Sequence, residues 1–131
     1  MCELNLNVNI LKSNQRAAMG HLVSIQTDDE NQFIALLWNS ATGGMSVTNF
    51  LITIWLGLTD AALEGSWRWS ENNQLVTYTN WGNNQPDNGN ANHNEHCGHL
   101  WNMHNSVTTW NDAPCSYQLF YACELPQNSG Q

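Results

Sequence analysis

The sequence predicts an α+β fold, in which a strand and two helices lead into short strands and a long polar loop region. Three observations support this. Leu4, Leu6, Val8 and Ile10 alternate with Asn5, Asn7 and Asn9, the period-two pattern of a half-buried strand. Thr27-Asp28-Asp29-Glu30 reads as a helix start, with Thr27 capping and the acids complementing the positive end of the helix dipole. From Ile52 onward, short apolar stretches are separated by loops rich in Gly and Asn.

Taken in order, the strand at Leu4–Ile10 is followed by a short helix over 13–18, with Ser13 as its candidate cap. The helix beginning at Thr27 should bury Phe33, Ile34 and Leu37. Val47 to Leu58 is the most apolar stretch and is expected to be a buried strand, being too short to cross a membrane. No internal repeat occurs, and 131 residues suit one domain, 1–131, long enough to bury a core.

Net charge limits the partners. At -8, with Lys12, Arg16 and Arg68 the only fixed cations, the chain lacks the basic patch that nucleic acid or an anionic membrane requires. No run of eighteen apolar residues occurs, so no membrane insertion is expected. Four cysteines point to an oxidising compartment. Secretion is expected from the cysteines rather than from a visible signal, since Met1–Leu11 has no basic start followed by a hydrophobic signal core, as in a chain whose leader is already removed. No Asn-X-Ser/Thr acceptor is present.

Gln85-Pro86-Asp87, Glu95 and Asn111-Asp112 place five oxygen-bearing side chains, three of them carboxylates, in under thirty residues. A hard cation such as Ca2+ takes about six to eight oxygen ligands, so this set reads as a calcium site. A cis Gln85–Pro86 bond would turn the oxygens of Gln85 and Asp87 toward one point. The alternative for a lone Gln-Pro-Asp is a solvated loop. His93, His96, His99 and His104 beside Cys97 raise a zinc reading, since zinc favours His and Cys. Their spacing on an extended loop argues against it. No nucleophile–base pair appears, and no enzymatic activity is expected.

From about Gly20 to Glu124 the chain resembles the C-type lectin-like domain family. The resemblance lies in Gly20-His21-Leu22-Val23-Ser24-Ile25, Trp55-Leu56-Gly57-Leu58, Gly65-Ser66-Trp67-Arg68-Trp69-Ser70 and Tyr78-Thr79-Asn80-Trp81. It continues through Gln85-Pro86-Asp87, Glu95-His96-Cys97, Trp110-Asn111-Asp112, Cys115 and Tyr121-Ala122-Cys123-Glu124. It implies two helices, small antiparallel sheets and a long calcium-binding loop region. Trp55, Trp67, Trp69 and Trp81 then belong to the framework, and Trp110 packs under the site to position Asn111 and Asp112. Trp38 and Trp101 have no assigned role.

The resemblance also implies a principal calcium site of Gln85, Asp87, Glu95, Asn111 and Asp112, which doubles as the sugar site. A weaker second calcium site would use Asp60, Glu64 and Asn88. At that site Asn88 and His96 stand where carboxylates are usual, and turn capping is the other reading of Asp60 and Glu64. His93 and His96 are expected to border the principal site, with His93 touching the ligand. Cys97–Cys115 is the expected disulfide. Cys123 lacks its usual helix partner, Gln15 standing there, so it either pairs with Cys2 or stays free in a dimer joined through Cys2.

Gln-Pro-Asp is associated in the family with galactose and N-acetylgalactosamine, and Glu-Pro-Asn with mannose-like sugars. The expectation is therefore a calcium-dependent lectin for galactose-type glycans or glycoconjugates. Many such relatives carry a stacking tryptophan two residues after the motif's Asp. Here Gly89 stands there and His93 is a poor substitute, so monovalent binding should be weak and avidity should require a homo-oligomer. Some members of this fold bind ice in a calcium-dependent way, and the many Asn residues with Thr77, Thr79, Thr108 and Thr109 suit that alternative. A protein-binding module without carbohydrate is the third reading.

Overall fold

Thr27 caps its helix as its sequence position predicts. Its Oγ1 accepts the Glu30 N–H at 3.1 Å, and the Glu30 carboxylate accepts the Gln26 N–H at 2.6 Å, so each side chain satisfies a donor that the helix leaves open. Helix α1 (Asp28–Ala41) follows. The computed structural model describes residues 8–11, 21–41, 53–89, 91–101 and 109–124. The expected first helix at 13–18 and the strand before Val8 lie outside the described residues.

The buried stripe of α1 is Asn31, Ile34, Ala35 and Trp38, the 3–4 spacing of one helical face. Phe33, expected inside, is 54% exposed. The reason is Asn31: its Oδ1 accepts the Trp110 indole N–H at 2.7 Å, and this buried polar contact turns the helix so that Phe33 faces out. Leu37 is half-buried.

The strands are β1 (Val8–Leu11), β2 (His21–Leu22), β3 (Ile54–Thr59), β4 (Arg68–Trp69), β5 (Cys97–Trp101), β6 (Thr109–Ala113) and β7 (Phe120–Glu124). They form one sheet in the order β1-β7-β3-β5-β6, with β2 added to β7 and β4 to β3. All pairs are antiparallel except β3–β7, so a single mixed sheet replaces the expected separate antiparallel ones. β1 runs beside β7 with Asn9 opposite Cys123. Cys97 and Cys115 form the expected disulfide, and Cys123 is also disulfide-bonded. Cys2 lies outside the described residues.

The core lies between α1 and the sheet. Trp38 is 1% exposed and packs its ring 5.3 Å from that of Phe120 on β7. Trp69 and Trp110 are equally enclosed, and Trp67 is nearly so. Trp55 and Trp81 are half-buried, Trp81 packing against the core.

Gly57 allows the segment after β2 to lie against β3. Its N–H donates to the Val23 carbonyl at 2.8 Å, and its carbonyl accepts the Ser70 N–H at 2.6 Å. A Cβ there would sit 2.8 Å from the Leu22 carbonyl oxygen and 2.9 Å from that of Val23. Both are backbone atoms, which cannot move aside as a side chain would. Gly57→Ala should therefore cost about 1–3 kcal/mol, the range for forced overpacking. In thermal unfolding that is a drop of roughly 3–15 °C. A melting temperature equal to wild type would show that this approach is not tight.

Candidate functional site

Three segments converge on one point. Loop 80–82 runs along β6, with the Trp110 N–H donating to the Asn80 carbonyl and the Gly82 N–H to the Trp110 carbonyl, each at 2.8 Å. This clamp fixes where the chain enters Gln85–Pro86, which is cis as expected. The Asp112 carboxylate on β6 then accepts the Asp87 N–H at 3.1 Å and the Asn88 N–H at 2.7 Å. Asn88 accepts the Glu95 N–H through its Oδ1 at 3.0 Å, which closes the loop and brings Glu95 back to the site.

One carboxylate oxygen from each of Asp87, Glu95 and Asp112 lies within 4.8 Å of the other two. Asp112 is fully buried, and the other two are half-buried. Crowding of like charge with loss of solvent makes ionisation costly. Burial pushes the Glu95 carboxyl up to about 7, helped by its hydrogen bond to Asp87 and by the charges of Asp112 and Asp87. Burial also raises Asp112, although the N–H groups of Asn88 and Asp87 oppose the rise.

Gln85 supplies an independent sign of what fits this point. Its Oε1 is buried and has no hydrogen-bond partner. A buried amide oxygen without a donor is rare, and a cation is one thing that satisfies it. Carboxylate and amide oxygens with no sulfur donor suit a hard ion such as Ca2+.

A second cluster lies nearby. Asp60, Glu64 and His96 bring one ligand atom each within 4.8 Å of the others. His96 Nδ1 is 3.0 Å from Asp60 and 3.4 Å from Glu64. Asp60 also accepts the Gly65 N–H at 2.8 Å, so the turn-capping reading and the cluster reading both hold for it. Burial raises the Glu64 pKa, with Asp60 adding to the rise and His96 opposing it. Asn88, expected at this second site, uses its Oδ1 on Glu95.

Asn111 sits beside Asp112 on β6, and its amide nitrogen turns to the ring of His99, 3.0 Å from Nε2. His99 is wholly buried, and burial pushes its pKa down to about 4, so it is neutral. Its role was not legible in the sequence, where it read as one histidine among four; a histidine two residues along β5 from Cys97 was the available signal. His93 is exposed, with a left-handed φ of 51°, and lies outside both clusters. Gly89, where a stacking tryptophan was looked for, has φ 68°. A Cβ there would meet Asn94 and Glu95 atoms at 3.1 Å, so this turn conformation disfavours a large side chain.

Residues 11–125 match the family described as Lectin C-type domain. The chain is 35% identical over 111 residues to the Alpha-N-acetylgalactosamine-specific lectin of Patiria pectinifera, covering 82% of this chain and 58% of that one. It therefore spans less than two thirds of that relative's length. The mouse scavenger receptor C-type lectin carbohydrate-recognition domain superposes with a TM-score of 0.61 at 31% identity, over 82% of this chain and 74% of that one. Herring type II antifreeze protein superposes with a TM-score of 0.63 at 28% identity, over 83% of this chain and 74% of that one.

The raised Glu95 pKa has a definite sign in stability. The folded, chelator-treated protein holds the Glu95 proton more tightly than the unfolded chain does, about 7 against 4.5. Its contribution is complete below about pH 4.5 and is lost as the pH rises through about 7. Glu95→Gln keeps the neutral shape at every pH. Without divalent ions its melting temperature should exceed that of wild type at about pH 8, and the gap should close toward about pH 4.5. A gap that does not vary with pH would contradict this.

Proposed function

This chain belongs to the C-type lectin domain family, a family of carbohydrate-binding rather than catalytic domains, and we propose that it is a calcium-dependent lectin for galactose or N-acetylgalactosamine. The observation that carries this reading is the meeting of Asp87, Glu95 and Asp112, with the buried, unpartnered Gln85 oxygen two residues before Asp87 in the chain. Gln85, Asp87, Glu95, Asn111 and Asp112 are the residues that would hold the ion. Calcium bound there would offer coordination positions to two adjacent sugar hydroxyls. The protein's part is to orient that diol through charge-assisted hydrogen bonds from the same side chains. Carboxylates 87, 95 and 112 accept from hydroxyls, and the Gln85 amide donates. Relationship to a lectin specific for α-N-acetylgalactosamine supports the galactose-type choice.

Asp60, Glu64 and His96 form at most a weaker calcium site, because a histidine replaces an anionic ligand and ligand charge helps set affinity. Gly89 leaves the sugar's apolar face without a tryptophan platform. Binding at one site is therefore weak, and useful avidity comes from several copies on one assembly. Family, cysteines and glycan partner together suit a secreted, extracellular protein, and none of the described helices is long and apolar enough to cross a membrane.

A glycan array run with calcium and again with a chelator tests the reading. Galactosides should be retained with calcium and lost without it, and millimolar calcium should raise the melting temperature by mass action. Likeness to the herring antifreeze protein favours ice binding as the second reading, and thermal hysteresis with no glycan retention would select it.

Gln85→Glu with Asp87→Asn tests specificity at constant carboxylate number. Position 85 becomes a pure acceptor and position 87 gains an amide donor. Mispaired buried polar groups cost about 1–3 kcal/mol each, so galactoside binding should fall roughly tenfold or more while calcium still binds. Mannose or N-acetylglucosamine binding should rise. An unchanged galactoside ranking would remove specificity from these two residues.

A further inference from the structure

Asn111 has a planar amide whose two arms do opposite things, since the nitrogen only donates and the oxygen only accepts. A site holding a cation needs the oxygen arm. The neighbouring carboxylates alone would favour the nitrogen arm, because an N–H is drawn to an anion. Something else must therefore set the orientation. Asn111 lies directly across β5–β6 from His99, so their side chains meet as a cross-strand pair. The Asn111 nitrogen is 3.0 Å from His99 Nε2, and His99 Nδ1 is 2.9 Å from Thr53 Oγ1. Thr53 and His99 are 1% and 0% exposed, and Asn111 is 9% exposed, so these bonds are shielded from bulk solvent.

The ring's hydrogen can be assigned from its partners. Nε2 receives an N–H from Asn111 and must be bare. In a neutral ring the hydrogen then resides on Nδ1, toward Thr53, whose hydroxyl oxygen can accept it. Reversing the Asn111 amide would set its oxygen lone pairs against the bare Nε2 in a buried space. The ring packs against Trp55 and Trp101 at centroid distances of 5.7 and 6.0 Å, which restricts its rotation.

We infer that Thr53 and His99 are positioning residues for Asn111, locking its amide nitrogen inward so that its oxygen is the arm left for a cation and its sugar. This rests on the reading of Asn111 as a ligand of the principal site. Partners that orient a ligating side chain typically change metal affinity 10–100-fold when lost.

The test combines spectroscopy with a variant pair. Long-range proton–nitrogen correlation on the full chain, with chelator, should find His99 protonated at Nδ1 and bare at Nε2. A hydrogen on Nε2 would overturn the proposal, because Asn111 would then present its oxygen inward. His99→Phe fills the ring volume between the two tryptophans without an acceptor, and its calcium affinity by calorimetry should fall roughly tenfold or more. His99→Gln retains an acceptor and should stay within roughly threefold of wild type. If His99→Phe does not fold, Thr53→Val, which removes only the hydroxyl's hydrogen bonding, should release the Nδ1 preference and weaken calcium several-fold. Wild-type calcium binding that His99→Phe or Thr53→Val leaves unchanged would sink the positioning role and spare the lectin reading. Absence of calcium binding in wild type would end both.

Discussion

Burial of Trp110 is the constraint on which the other parts depend. Its ring meets those of Trp69, Tyr78 and Trp81 edge-on at 5.7 to 6.2 Å, and its indole N–H reaches Asn31 on the helix. Its backbone N–H and carbonyl hold the loop of Asn80 and Gly82. One residue thus fixes helix, loop and strand to each other, and the next two along the chain are Asn111 and Asp112. The position of the site relative to the core is set by where this indole packs. Large aromatics suit that task because they bury much area and, in tryptophan, keep one directional hydrogen bond.

A scaffold of this kind is needed because the site opposes folding. Three carboxylates within 4.8 Å of one another and a buried amide oxygen without a donor all raise the free energy of the folded chain. Asp112 offsets part of that cost by accepting two backbone N–H groups of the loop that carries Asp87, so the anion also organises the loop. Local rules fail here in the way expected of functional positions, where the rest of the structure compensates.

The helix cap at Thr27, the β1 strand, the cis proline and the Cys97–Cys115 pair were legible because each depends on residues close in sequence or on a strong family motif. The carboxylate triad was legible for the second reason. Phe33 was misplaced because hydrophobicity alone cannot see that Asn31 is required inside by an indole seventy-nine positions away. The mixed sheet was hidden because strand order depends on long-range pairing, and the β3–β7 contact is parallel where the resemblance implied antiparallel sheets. His99 was overlooked for a related reason. A histidine's role is set by the partners of both its nitrogens, and Thr53 and Asn111 are far from it along the chain.

The two acidic clusters are not equivalent, and their difference bears on where a cation is needed. Asp60 and Glu64 have a nitrogen of His96 between them, and Asp60 has the Gly65 N–H as well. That cluster satisfies itself with protein donors. At the other, the Gly89 N–H donates to Asp87, and burial, the hydrogen bond to Asp87 and the charges of Asp112 and Asp87 carry the Glu95 carboxyl to about 7. Glu64 also feels the Asp112 charge, so the clusters are electrically linked. A divalent ion among Asp87, Glu95 and Asp112 would displace the Glu95 proton and relieve repulsion in both places at once. The buried oxygen without a donor is that of Gln85, whereas Asp60 faces His96 Nδ1 and the Gly65 N–H.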